Sequence, residues 1–461
     1  MFATTLLRGR NKGLFVLLVL GLTLALISAC GGGAAEPSQP AADTSAQSEQ
    51  ATQAPAGDSS AEPVTVTWWS IQTDEASKAM FAELIAEYQK AHPNVTIENT
   101  VLENEAFKSK ISTAMQSGEP PDVFQTWGGG VMQEYAKAGL IQDLTPALKE
   151  SGWGDSFQPG PLSLFGYGDK FYGVPWRIGM VGFFYNKDLF EKAGITTPPA
   201  TWAEFLDAVD KLKAAGITPL GVGGKDKWDG AFFWEYLAAR MGGKDAFVNA
   251  YNRTGKFSDQ PFVDAGVRLK ELVDRQPFQD GFLGSGVDES MSLFAQRKVA
   301  MALMGQWLPG VAGPLAADPK AFAENLGWFP FPSVEGMKGA PGDALGGGDG
   351  FAVGKNASSA AIDFVRFLTS EENQKKMAAA GIAVPPVVKG AEEALTDPIV
   401  KTLWKGTADA NYFQLYYDQY MPPAVGMTVN DAVQTLFAGT ASPETVAQQI
   451  ETVAATELTG N

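Results

Sequence analysis

Two α/β lobes, the first on a mainly parallel sheet, are what the sequence predicts for the chain beyond residue 62. Three observations predict this. From Val64 to Gly139, runs rich in β-branched and aromatic residues alternate with segments of helical period, the order that builds parallel strands. A second alternation of the same kind begins near Val181. The 461 residues also suit two or three domains at roughly 100–200 residues each. With 45% hydrophobic and 19% charged residues, the chain has the balance of a globular protein rather than a disordered one.

Residues 1–29 read as an address rather than as fold. Arg8, Arg10 and Lys12 precede the apolar run Leu14–Ile27, and Ser28 and Ala29 are small, the order of a secretory signal. The apolar run is shorter than the about 20 residues of a spanning helix, and no other stretch is long and apolar enough. From residue 30 to 62 there is no aromatic and no branched aliphatic residue. Such a segment cannot bury enough surface to order itself, and it is expected to be a tether reaching on the order of 30 Å as a coil.

Val64–Trp69 then opens as a strand. Met80, Leu84, Ile85 and Tyr88 recur at helical spacing. That helix stops near His92-Pro93, because proline pushes its predecessor out of the α region, and His92 is read as its C-terminal cap. Val95, Ile97 and Val101 mark a strand, Phe107–Ser117 a helix, Asp122–Gln125 a strand, and Val131–Ala138 a helix stopped by Gly139. In the second lobe Thr201 and Glu204 form a capping box for a helix ending at Gly216. Thr218–Val222 reads as a strand, Lys225–Gly230 as a loop before another helix, and Lys298–Met304 as a strand leading into the turn Gly305-Gln306. Residues 335–350 are glycine-rich and read as flexible backbone, and the tail from Ser358 is mostly helical. There is no internal repeat.

The formal charge, 35 − 52 = −17, with no long basic run, excludes a binder of nucleic-acid phosphates. One histidine, His92, and one cysteine, Cys30, exclude a disulfide framework, a Cys/His zinc site and a Cys–His dyad within one chain. A Ser–His–Asp triad could use only His92. No GxxxxGK[ST] loop is present, and neither a cofactor nor a metal is expected. Recognition remains, or acid catalysis of the glycosidase kind. The 28 Phe, 11 Tyr and 11 Trp suit either.

Leu26-Ile27-Ser28-Ala29-Cys30 resembles a bacterial lipobox, after which Cys30 would become the lipidated N-terminus. Processing would leave 32 − 52 = −20 on the mature chain. Further motifs follow in order: Val66-Thr67-Trp68-Trp69; Ser117-Gly118-Glu119-Pro120-Pro121-Asp122-Val123; and Ala138-Gly139-Leu140-Ile141-Gln142-Asp143-Leu144-Thr145. Then come Tyr172-Gly173-Val174-Pro175, Tyr185-Asn186-Lys187-Asp188-Leu189-Phe190-Glu191-Lys192-Ala193-Gly194, Pro199-Ala200-Thr201-Trp202-Ala203-Glu204-Phe205 and Lys298-Val299-Ala300-Met301-Ala302-Leu303. Together these are similar to extracellular solute-binding proteins of the carbohydrate-specific family 1 type, which serve ABC importers.

The resemblance implies an α/β, two-lobe periplasmic-binding-protein-like fold of type II, with a ligand cleft between lobes joined by a multi-crossing hinge. It places the crossings near Pro175–Val181, near Ala295–Met301 and somewhere after Gly350. The N-terminal lobe would hold residues 63–176 plus about 300–365, and the C-terminal lobe 177–299 plus about 366–461. It implies a monomeric receptor, lipid-anchored outside the bacterial cytoplasmic membrane, that hands a mono- or short oligosaccharide to permease subunits and catalyses nothing.

A sugar offers C–H patches to aromatic faces and hydroxyls to polar side chains. Five tryptophans stand on strand-end loops: Trp69, Trp127, Trp176, Trp228 and Trp307. Trp307 matches the place where maltose-binding relatives stack a tryptophan on the sugar. Trp127 precedes Gly128-Gly129-Gly130, read as room for close approach. The polar candidates are Gln72 and Asp74 after the first strand, Glu103 and Asn104 after the second, Arg177 beside Trp176, Asp229 beside Trp228, and Asp349 among glycines. Tyr412, Tyr416, Tyr417, Asp418, Gln419 and Tyr420 form a cluster resembling members that bind xylobiose or related oligosaccharides, and Tyr417 and Asp418 join the candidates. The glycines after Trp127 replace a charged group of maltose-binding members, which argues against maltose. Trp153, Trp202, Trp234, Trp328 and Trp404 are read as structural. The alternatives are a solute-binding protein for a non-sugar ligand, and a lipid-anchored glycoside hydrolase using Asp349 with Asp418 or Glu103.

Overall fold

The computed structural model describes residues 62–458. The expected signal segment, Cys30 and the tether up to residue 61 lie outside the described residues. Among these residues no helix is long and apolar enough to cross a membrane.

The chain opens with β1 (Val64–Ser70), β2 (Val95–Val101) and β3 (Val123–Thr126), then a small hairpin of β4 (Gly166–Tyr167) and β5 (Lys170–Phe171), then β6 (Val174–Met180). β7 (Gly182–Asn186), β8 (Thr218–Gly221), β9 (Val299–Met304) and β10 (Leu326–Phe329) follow, before β11 (Ala344–Val353) and β12 (Phe413–Leu415). One sheet runs β12-β11-β3-β1-β2 with β6 also on β11, and the other runs β10-β7-β9-β8. In the first, β1 pairs in parallel with β2 and β3, as expected. The second departs from the expectation. Only β8–β9 is parallel there, whereas β7 pairs antiparallel with both β9 and β10.

Burial explains the early elements. Alternation along β1 turns Val66 and Trp68 inward, and Trp68 meets Phe81, Phe351 and Phe364 edge-on at 5.1–5.9 Å. Helix α1 (Glu75–Ala91) presents Phe81, Leu84 and Tyr88 to that core. Its cap His92 donates its backbone N–H to the Tyr88 carbonyl and stacks on Tyr88 at 4.4 Å. Helix α2 (Asn104–Ser117) buries Phe107, Ile111 and Met115, and ends at Gly118 with φ 75°, a left-handed stop that glycine takes without strain. The predicted capping box of Thr201 and Glu204 is present. Trp153, Trp202 and Trp234 are buried.

The glycine-rich stretch corrects the expectation of flexible backbone. From Ala344 onward it is the buried ten-residue strand β11, held between β3 and β12 with β6 alongside, and only residues 335–343 are turn and loop. A Cβ at Gly346 would lie 2.1 Å from the Gly179 carbonyl oxygen, and one at Gly350 would lie 2.2 Å from the Phe165 ring. Neighbours pack on the backbone itself, so glycine is required by contact rather than by mobility.

The lobe boundaries shift accordingly. The chain leaves the first sheet for the second at Val181, between β6 and β7. The second crossing does not lie near Ala295–Met301, because β9 pairs with β7 and β8 in the second sheet. The chain returns between β10 and β11, so residues from about 300 to 330 belong to the second lobe. Residues beyond 366 are also divided. Leu368, Met377 and Val387 join the core of Val66 and Trp68, whereas Tyr417, Val429 and Ile450 join that of Phe183 and Phe233.

The returning crossing is pinned by one side chain. Arg240 is 1% exposed and donates to the backbone carbonyls of Phe331, Pro332 and Asp343 at 2.9–3.1 Å. Replacing it by Met would strip several buried carbonyls of their donor. Arg240→Met is expected to cost about 3 kcal/mol or more in urea unfolding, since each unpaired buried group costs about 1–3 kcal/mol. A loss below about 1 kcal/mol would refute this pinning role.

Candidate functional site

Four of the five candidate tryptophans are half-buried on strand-end segments of the two lobes. Trp69 ends β1, with Lys110 Nζ 4.2 Å from its ring. Trp127 follows β3 and meets Phe107 edge-on at 5.7 Å. On the second lobe Trp228 opens the helix Trp228–Tyr251, and its ring lies 6.1 Å from that of Trp307, which follows β9. Lys108 of α2 joins the lobes, its Nζ 6.0 Å from the Trp127 ring and 5.9 Å from that of Trp228. The aromatic run continues inward from Trp228 to Phe232 at 5.4 Å, and on to Tyr416, stacked at 4.7 Å. Trp127 from one lobe and Trp228 and Trp307 from the other thus meet around one cation.

Charge at the same meeting is acidic. Burial pushes the Asp288 carboxyl upward, and Glu103 across the cleft and Asp226 beside it push in the same direction. Glu103 is exposed and precedes α2 without capping it. The side chain of Asn104 donates to Glu105 at 2.9 Å. Gln72 is 4% exposed, and neither end of its amide has a protein partner.

Other candidates are committed elsewhere. Trp176 is fully buried, stacked 6.1 Å from Phe351 and edge-on to Phe81. It belongs to the first core, because the strand that carries it runs beneath that core rather than out into a loop. Asp349 is held by Arg177 Nε at 2.5 Å and by Gln125 Nε2 at 2.9 Å, an ion pair between β6 and β11. Asp74 caps α1, accepting from the Ser77 amide at 2.8 Å. Tyr417 is 1% exposed among Phe247, Phe257 and Trp234. Asp418 accepts from Asn430 at 3.1 Å. The glycines after Trp127 admit protein rather than open space. A Cβ on Gly129 would lie 2.4 Å from the Gln419 carbonyl oxygen, and one on Gly130 2.5 Å from that of Met421.

The sequence reading missed Lys108 and Lys110. Charges on an amphipathic helix read as a solvated face, and nothing in the spacing tells which of them meets a second lobe. Phe232 was equally hidden, being one of many apolar residues in a helix that is buried on every side from Asp229 to Gly243.

Two α/β lobes around an aromatic cleft define a ligand-binding protein of the two-lobe type. The defining sequence pattern of the bacterial extracellular solute-binding proteins matches residues 72–375, and the chain belongs to that family. A multiple sugar-binding protein of Streptococcus mutans is 24% identical over 415 residues, covering 88% of this chain and 89% of that one. A structure solved in work on xylan utilization by the thermophilic bacterium Caldanaerobius polysaccharolyticus is 30% identical, with a TM-score of 0.78, over 84% of this chain and 99% of the other. A chitin oligosaccharide binding protein is 28% identical, with a TM-score of 0.79, over 86% and 100%.

Asp229 yields a test of its structural role. It is 2% exposed and accepts the amides of Gly223 at 2.7 Å and Gly230 at 2.8 Å. Burial outweighs those donors and pushes its carboxyl up to about 6. The folded protein therefore holds a proton that the unfolded chain releases from about pH 4 upward, so this group lowers stability as pH rises towards about 6. Asp229→Asn should remove that decline. The melting-temperature difference between variant and parent should shift in the variant's favour from pH 4 to pH 6.5, and a constant difference would contradict it.

Proposed function

We propose that the chain is an extracytoplasmic receptor that captures a mono- or short oligosaccharide between its lobes and delivers it to an ABC importer. The observation that carries this is the set of half-buried indoles, Trp127 from one lobe and Trp228 and Trp307 from the other, that meet around Lys108. Such faces bury the C–H patches of a sugar ring. Ligand held by one lobe gains contacts from the second only when the cleft shuts, so binding shifts an open–closed equilibrium. The names of the similar proteins, which bind multiple sugars or chitin oligosaccharides or come from a xylan-using organism, support a saccharide. The xylan-related neighbour and the tyrosine cluster from 412 to 420 favour short xylo-oligosaccharides.

On this reading the receptor acts as a monomer without catalysis, and Cys30 carries the lipid that keeps it at the outer face of the membrane. Of the carboxylates that a hydrolase would use, Asp349 is engaged by Arg177 and Asp418 by Asn430.

Tryptophan fluorescence of a soluble form beginning near Ala61 should respond saturably to xylobiose, N,N′-diacetylchitobiose or raffinose, with no new reducing ends after hours. Turnover would replace the receptor by a hydrolase, and silence with all three would remove the saccharide reading. Trp307→Ala should weaken the sugar that binds by at least about 5-fold, on the order of a lost stacking contact. Unchanged affinity by calorimetry would remove Trp307 from the site. Cys30→Ser should move the protein from the membrane fraction to the medium or periplasm, and retention in the membrane fraction would refute the anchor.

A further inference from the structure

Gly179 of β6 and Gly347 of β11 stand directly opposite each other in register, so their missing side chains would point to the same face of the sheet. Three polar side chains fill that space. A Cβ on Gly179 would lie 1.9 Å from the Gln306 amide, and one on Gly347 would lie 2.6 Å from both Gln419 Oε1 and the Tyr416 ring. Gln306 Oε1, Gln419 Oε1 and the Tyr416 hydroxyl are all buried, and none has a hydrogen-bond partner in the protein. Gln306 is 3% exposed and Tyr416 5%. A buried polar atom without a partner is costly, and three on one patch call for an external one.

The patch lies at the foot of the aromatic walls, since Gln306 adjoins Trp307 and Tyr416 stacks on Phe232 behind Trp228. Its surroundings set the charge it tolerates. The groups acting on the Tyr416 hydroxyl are Asp349, Glu235, Asp418 and the Tyr236 phenol. Arg177 already neutralises Asp349. No cation is among the groups acting on the Tyr416 hydroxyl, and Lys108, higher in the cleft, is already paired with Glu105 at 2.9 Å.

We propose, building on the receptor reading, that Gln306, Gln419 and Tyr416 form the floor of the cleft and hydrogen-bond the hydroxyls of an uncharged sugar, rejecting acidic ones. Amide and phenol groups both donate and accept, as a sugar hydroxyl does. The glycine pair exists to give the floor its depth.

Gln306→Leu, Gln419→Leu and Tyr416→Phe in the full chain separate this role from a structural one. Each removes an unpaired atom at nearly constant shape, so the sugar-free melting temperature should hold or rise. Affinity for whichever of xylobiose, N,N′-diacetylchitobiose and raffinose binds the parent should fall at least about 5-fold, as for a lost hydrogen bond to a buried group. Digalacturonate should bind the parent at least about 100-fold more weakly than that neutral sugar, as for a buried charge with no partner. A lower melting temperature with unchanged affinity makes the floor structural and overturns the proposal. Equal binding of digalacturonate overturns its charge preference. If the parent binds a neutral sugar and the variants match it, this inference alone fails. If the parent binds none, the receptor reading fails and takes the floor with it.

Discussion

The antiparallel pairing of β6 with β11 is the constraint on which the rest of the molecule depends. One strand leaves the first sheet for the second lobe, and the other is where the chain comes back. Met180 lies opposite Gly346, and the Val181 amide donates to the Leu345 carbonyl at 2.8 Å. The outgoing and returning links therefore leave the first sheet side by side. The third link, from β12 to Tyr416, leaves from the other edge of β11, so all three links between the lobes gather at that strand. The Arg177–Asp349 pair fixes its register, and Arg177 also donates to the Ile382 carbonyl at 3.3 Å.

The cleft sets opposing forces against one another. Lys108 draws the indoles of the two lobes together, while Glu103 and Asp288 oppose their approach. Partial cancellation suits a receptor, because a ligand can shift an equilibrium only by its differential affinity for the two states. A cleft strongly biased to either state would waste affinity or hold its cargo. The buried amides and phenol without partners act likewise, storing a cost in the empty protein that a bound hydroxyl relieves.

Much of the fold was legible from residue pattern. β1, α1, the capping box of Thr201 and the end of α2 at Ser117 follow from alternation, helical period and cap chemistry, which are local. The second sheet was misread because local pattern does not distinguish an antiparallel β7–β9 pair from a parallel one. The glycine run was misread because its cause is long-range: the Phe165 ring, the Gly179 carbonyl and Tyr416 press on β11 from distant parts of the chain. The site divided in the same way. Trp127, Trp228 and Trp307, chosen from strand-end position, lie half-buried, but Trp176, Asp229 and Tyr417 stand in similar contexts and are packed inside. Whether an aromatic beside a turn faces a cleft or a core depends on the element across from it, and the local sequence does not carry that.

The position of β11 in the first sheet has a consequence for the order in which the protein can fold. β3 gains its second neighbour only when residues 350–353 arrive, after all four strands of the second sheet have been made. Until then the first lobe presents an open strand edge, and a nascent chain cannot complete its leading half ahead of its trailing one. Contacts spanning well over two hundred residues also slow the search for the native pairing.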